Sequence, residues 1–215
     1  MLRGIVFDFD LTLVDSAVGI CGNLNALAEE KGLRPLEIDE VRPTIGWALV
    51  DAMRSFWGDG PAESEWLPRY RSLFVERNYA GVSPFAETTA ALEHFQRTNV
   101  PMAIATNRLA PEGIVRAAGL DSYFPVIVGI ENMRAKPDPA IVLEALRRLG
   151  LSAEEGIYVG DTAIDMRTAL NAGMTAIGVT TGNHDAAALR SSGAEFVISS
   201  LRQLPDLWED LHGKQ

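Results

Sequence analysis

Two aspartates, Asp8 and Asp10, stand at the end of the first apolar run of the chain, GIVF at residues 4–7. Residues two apart on an extended chain project to the same side, with α-carbons roughly 6.5 Å apart, so both carboxylates address one site. Two acids beside a buried strand cost stability unless a cation or hydrogen bonds compensate. Three further apolar runs end in polar residues: Thr106 and Asn107 after MAIA, Lys136 in the loop after VIVGIENMR, and Asp161 after IYVG. Three close carboxylates repel one another unless a cation intervenes. An all-oxygen set with no Cys/His cluster suits Mg²⁺, with retained waters and a substrate phosphate, rather than zinc. The chemistry this supports is phosphoryl transfer. One carboxylate attacks phosphorus and water then cleaves the acyl phosphate, while its neighbour protonates the leaving oxygen and later activates water. Lys136 and the metal would neutralise charge on the transferring group, and Thr106 would donate to a phosphoryl oxygen.

These residues need a scaffold that gathers strand ends. Short apolar runs at residues 4–7, 101–105, 126–128, 157–159, 176–179 and 196–198 read as buried parallel strands. Helical patterns at 109–118, 140–149, 163–172 and 185–190 alternate with them, which predicts an α/β fold with a doubly wound parallel sheet. Ligands of such sheets bind beyond the carboxyl ends of the strands, where the polar residues fall. Pro139 reads as a first-turn proline, and Gly119, Gly150 and Gly173 as helix stops. Taken alone, Asp15 and Asp138 read as helix caps. From about residue 16 to residue 79 the alternation breaks into helical faces such as Ile20, Leu24 and Leu27, then Leu49, Met53 and Phe56. This predicts a small all-helical cap, residues 16–80, inserted after the first strand into a core of residues 1–15 and 81–215. Trp47, Phe56, Trp57 and Trp66 are expected in the core of that cap.

Composition narrows the function from outside. The 215 residues are 47% hydrophobic and 22% charged, with a net charge of −10. That balance suits a soluble globular protein and argues against nucleic-acid or anionic-membrane partners, which require a basic face. Cys21 cannot form an internal disulfide and reads as a buried helical residue. The opening MLRGIVFDFD has no signal-peptide core, and no apolar run approaches the roughly 18 residues of a membrane span. The expected location is the cytoplasm.

Four motifs now stand in order: DFDLT at 8–12, ATN at 105–107, AKPDP at 135–139 and GDTAID at 160–165. Together they resemble the four motifs of the haloacid dehalogenase superfamily over nearly the whole chain. The helical insertion is similar to that family's first cap type, and the phosphoglycolate phosphatases are the members most resembled. The resemblance implies Asp8 as nucleophile and Mg²⁺ ligand, and Asp10 as acid/base whose backbone carbonyl also binds metal. It implies Thr106 and Lys136 as phosphate holders and Asp161 as the residue completing the metal site, with Asp165 as a ligand or a supporting partner. The backbone amides of Asp10, Leu11 and Asn107 would be further phosphate donors. Arg42 and Gly46, in the cap loop, would help select substrate. The implied activity is hydrolysis of a small phosphorylated metabolite by a monomer or homodimer. A sugar phosphomutase of the β-phosphoglucomutase type is the alternative, which Thr12 disfavours because mutases often carry valine there. A receiver-like signalling domain is a further alternative, which the cap disfavours. One departure stands out: relatives place glycine where this chain has Leu11. Leucine is expected to be tolerated with its side chain turned away from the site, at some cost in turnover.

Overall fold

A computed structural model describes residues 1–212. The chain splits into two compact units, Met1–Val14 with Pro84–Gln215 and, separately, Asp15–Ser83.

The larger unit is built on β1 (Gly4–Phe7), β4 (Met102–Ala105), β5 (Val126–Val128), β6 (Gly156–Gly160), β7 (Thr175–Val179) and β8 (Phe196–Ile198). The order is β5-β4-β1-β6-β7-β8. Every neighbouring pair is parallel, so the expected doubly wound parallel sheet is present. The chain winds outward from β1 through β4 to β5, then returns to the far side of β1 as β6. The order therefore reverses between β1 and β6, the place beyond whose strand ends such sheets bind their ligands. Side chains alternate along β1. Val6 enters the core shared with α7 (Ala140–Leu149) and α8 (Ala163–Ala172) through Val142, Leu146 and Met166. Phe7, on the opposite face, meets Phe124 edge-on at 6.0 Å.

Helix boundaries follow local chemistry. The pattern at 109–118 becomes helical only as α6 (Glu112–Ala117), because Pro111 disfavours the α conformation in the residue before it, and Ala110 sits at φ 48. Asp185 stands just outside α9 (Ala186–Ser191) and accepts from the Ala188 amide as its N-cap. Two helices not anticipated, α5 (Thr88–Arg97) and α10 (Leu204–His212), pack together through Phe95 and Trp208 at 5.9 Å.

The smaller unit contains α1 (Ala17–Lys31), α2 (Ile38–Val41), α3 (Leu49–Trp57) and α4 (Leu67–Glu76), with a π-helical turn, Ala62–Trp66, leading into α4. Its core holds Leu24, Leu27, Met53, Trp66, Tyr70 and Phe74, and Cys21 is buried. Trp47 departs from expectation: it is 47% exposed. It lies ahead of α3 in a turn where Gly46 takes φ 99, outside the helical period that buries Met53. Where the chain leaves and re-enters the larger unit, β2 (Val14–Asp15) and β3 (Ser83–Pro84) pair as a two-stranded ribbon. Among the described residues, no helix is long and apolar enough to cross a membrane.

Candidate active site

Asp8 is placed by the sheet itself. Its amide donates to the Val159 carbonyl at 2.8 Å, extending the β1–β6 ladder by one bond. The chain then turns tightly. The Leu13 and Val14 amides both donate to the Phe9 carbonyl, and the Leu11 amide donates to the Val14 carbonyl at 2.9 Å. That bond corrects one expectation: the Leu11 amide is committed within the turn and is not a phosphate donor. Leu11 also takes φ 55, the left-handed conformation glycine would adopt freely, and its side chain is fully buried. Among the described residues, the amides of Phe9 and Asn107 meet no acceptor.

On the other side of the switch point, β6 ends at Gly160 and α8 begins with a reciprocal cap. Thr162 accepts from the Asp165 amide, while Asp165 Oδ2 accepts from the Thr162 amide at 3.1 Å and its hydroxyl at 2.6 Å. Asp165 Oδ1 faces the site and accepts from Lys136 Nζ at 2.9 Å and from the Tyr158 hydroxyl at 3.2 Å. Three donors therefore engage this one carboxylate, and the Tyr158 hydroxyl divides its single proton between it and the Ala105 carbonyl at 3.1 Å. Lys136 Nζ also donates to Asp8 Oδ1 at 2.6 Å and lies 5.2 Å from the centre of the Tyr158 ring. The lysine loop is pinned where the Lys136 amide donates to Asn107 Oδ1 at 2.8 Å. Asp161 accepts from Thr12 Oγ1 at 3.1 Å. The chain passes so close on its other side that a β-carbon on Gly182 would fall 1.7 Å from Asp161 Oδ2. Thr106 Oγ1 accepts from the Arg108 amide at 3.3 Å, which leaves the hydroxyl proton for a ligand.

Oxygens of Asp8, Asp161 and Asp165 lie within 4.8 Å of one another, all buried. Three ionised carboxylates against one ammonium would leave two negative charges out of water, and burial and mutual repulsion favour the protonated forms instead. Burial pushes Asp8 up to about 7; Lys136 opposes the rise, and the charges of Asp165 and Asp10 add to it. Burial, then Asp165 and Asp8, hold Asp161 well above the usual carboxylate range. Burial works against the charge on Lys136, but Asp165 and Asp8 outweigh it and keep the ammonium above the ordinary lysine range. A hard divalent cation matches both the donor set and the missing charge.

Asp10 lies beside this cluster with a different partner. Arg108 grips it with both prongs, Nε to Oδ2 and Nη2 to Oδ1, each at 2.7 Å. Arg108 was not anticipated. Its place in the loop directly after β4, beyond the strand ends where the site gathers, was the available signal. Tyr158 was also missed, because a tyrosine inside an apolar strand reads as core. Asp15 and Asp138 are not the N-caps expected: they accept from the Ala17 and Ala140 amides one position ahead of the N-cap residues Ser16 and Pro139. Arg42 and Gly46 belong to the smaller unit, where Arg42 Nη1 lies 3.9 Å from Asp15 Oδ2.

Comparison with known proteins follows the same lines. The sequence profile of the family described as haloacid dehalogenase-like hydrolase matches residues 5–179. A phosphoglycolate phosphatase of Neisseria meningitidis is 29% identical, over 98% of this chain and 94% of its own length. One from Rhodobacter capsulatus is 31% identical, over 85% and 86% respectively. A crystal structure described as a haloacid dehalogenase-like hydrolase, from Bacteroides fragilis, superposes with a TM-score of 0.86 at 28% identity. It covers 95% of this chain and 100% of the other.

Proposed function

The chain belongs to the haloacid dehalogenase-like hydrolase family and is a phosphatase, and from that premise we propose that it hydrolyses a small phosphorylated metabolite of the phosphoglycolate kind. The reaction would use Mg²⁺ and an aspartyl-phosphate on Asp8. The observation that carries this reading is the buried set of Asp8, Asp161 and Asp165 around Lys136, two positive charges short of neutrality. Similarity to phosphoglycolate phosphatases over most of the chain supports the substrate class.

In this scheme Asp8 and Asp161, with the backbone carbonyl of Asp10, hold Mg²⁺, which when bound screens the charge of the transferring phosphoryl group. Asp165 completes the acidic set. With both oxygens already accepting from Lys136 and Thr162, its larger part is to fix Lys136 and the start of α8. Lys136 Nζ, the Thr106 hydroxyl and the amides of Phe9 and Asn107 take phosphoryl oxygens. An Asp8 oxygen attacks phosphorus as the ester P–O bond breaks, and the departing oxygen receives a proton from Asp10. Asp10, now a carboxylate, takes a proton from water. The water oxygen displaces Asp8 and inorganic phosphate leaves. Arg42 and Gly46 of the helical unit, acting as a cap, are assigned to substrate selection. A lone cysteine and a net charge of −10 fit a cytoplasmic setting.

The test is phosphate release by the purified chain with Mg²⁺ across a metabolite panel, compared with Asp8→Asn. We expect release by the wild type and none by a folded Asp8→Asn. Unchanged turnover in the variant would refute the nucleophile. Isomerisation of a sugar phosphate without phosphate release would turn the reading to a mutase.

A further inference from the structure

We propose that Thr181, in the loop after β7, is a positioning residue of the metal site: its hydroxyl holds the Leu11 carbonyl and thereby keeps Thr12 and Asp161 set for the cation. This rests on the Mg²⁺ reading above and adds a residue that lies outside all four motifs.

Leu11 needs holding on both sides. At φ 55 it occupies a conformation that a β-carbon disfavours, so the turn relaxes unless the flanking peptide groups are tied. On one side, the Leu11 amide donates to the Val14 carbonyl at 2.9 Å. On the other, the Leu11 carbonyl accepts from Thr181 Oγ1 at 2.7 Å, across 170 positions of sequence. This second bond fixes the peptide that leads into Thr12. Thr12 is fully buried and donates to Asp161 Oδ1 at 3.1 Å, so a swing of the Leu11 carbonyl would carry that donor away from Asp161.

The same loop grips Asp161 from its other side. The Asn183 amide donates to Asp161 Oδ2 at 3.4 Å, and Gly182 passes so close that no side chain fits between. Both oxygens of Asp161 are therefore met by donors whose placement depends on the loop, one through Leu11 and Thr12 and the other directly. The loop is anchored at its own ends, where the Thr180 amide donates to the Ile198 carbonyl at 3.0 Å and Asp185 caps α9. Asp8 and Asp165 share the ammonium of Lys136, whereas these bonds to Asp161 come from a hydroxyl and an amide. Neutral donors orient a ligating carboxylate without neutralising it, which leaves its charge for the cation.

The test is calorimetric titration of Mg²⁺ into metal-free wild type, Thr181→Val and Thr181→Ser, beside rates on p-nitrophenyl phosphate across Mg²⁺ concentrations. Valine keeps the branched shape and loses the hydroxyl; serine keeps the hydroxyl. Thr181→Val should raise the Kd for Mg²⁺ by about 3- to 10-fold, within the worth of one hydrogen bond, and raise the Mg²⁺ concentration for half-maximal rate by the same factor. Its KM for the ester at saturating Mg²⁺ should stay within about 2-fold of the wild type, and Thr181→Ser should match the wild type within about 2-fold in all three quantities. Thr181→Ala serves if the valine variant does not fold. A folded valine or alanine variant with wild-type Mg²⁺ affinity overturns the inference, as does a serine variant that binds as weakly as valine, or a KM at saturating Mg²⁺ that rises as much as the Kd. Failure of both hydroxyl-free variants to fold, with the serine variant folded, makes the bond a requirement of the fold alone and also overturns it. In each of these cases, Mg²⁺ binding and phosphate release by the wild type leave the phosphatase reading standing. A wild type that binds no Mg²⁺ removes the inference together with the Mg²⁺ reading on which it rests.

Discussion

Leu11 sets two effects of similar size against each other, and replacing it decides which one is larger. Its φ of 55 lies in the left-handed region, which costs a residue with a β-carbon about 1–2 kcal/mol. Glycine removes that cost. Leu11 is also completely buried, and truncating a buried leucine to alanine costs about 2–5 kcal/mol. Glycine adds about 0.5–1 kcal/mol through the freedom it gives the unfolded chain. Burial therefore wins, and Leu11→Gly should be less stable than the wild type by about 1–4 kcal/mol, a fall in Tm of about 3–15 °C for a chain of this size. Leu11→Ala separates the contributions, because it loses the packing and keeps the strain. Thermal and urea denaturation should give the order wild type, then glycine, then alanine, with the two variants about 1 kcal/mol apart. An alanine variant as stable as the glycine variant would refute the strained conformation. A glycine variant more stable than the wild type would show that strain, not burial, dominates.

Three further outcomes follow from the buried charges. Titrating Mg²⁺ into metal-free protein should raise Tm, with about 2.7 kcal/mol of stabilisation at a hundredfold excess over Kd, and Asp161→Asn should remove most of the shift; no shift in the wild type would count against the metal site. Lys136→Met should cost about 3–5 kcal/mol by urea denaturation, since it leaves Asp8 and Asp165 buried without their ammonium. Asp8 is raised in the folded state from 3.8 to about 7, so its contribution to stability is complete below about pH 4 and is lost as pH rises to about 7. Denaturation in EDTA across that window should follow this slope, and Asp8→Asn should flatten it.

Much of the site was legible because its residues are costly where they stand. Acids at the ends of buried strands demand an explanation, and Asp8, Asp10 and Asp161 supplied it before any fold was known. The alternation of strand and helix patterns then fixed where those ends would meet. Other features depend on partners that local sequence cannot reveal. Arg108 is an ordinary loop arginine until its partner, 98 positions earlier, is known. Leu11 raised the question of a glycine-like conformation, but only the turn closed by the Val14 carbonyl shows that leucine adopts it and spends its amide there. Thr162 and Asp165 could have been read as a capping box from their spacing. Its consequence, that Asp165 is engaged on both oxygens, needed Lys136 and Tyr158 to be in place.

The electrostatics divide the site into two parts that answer to different ligands. Asp8, Asp161, Asp165 and Lys136 form a set with surplus negative charge, buried deeply enough that burial is the largest influence on each shifted group. Asp10 and Arg108 form a doubly hydrogen-bonded pair beside it. The two sets still feel each other, since the charge of Asp10 adds to the rise at Asp8. Removing Arg108 leaves the charge of Asp10 without its guanidinium beside the set, so Arg108→Ala should bind Mg²⁺ at least as tightly as the wild type by calorimetry. A large loss of Mg²⁺ affinity in that variant would mean that the pair is part of the metal's surroundings, and the division would fail.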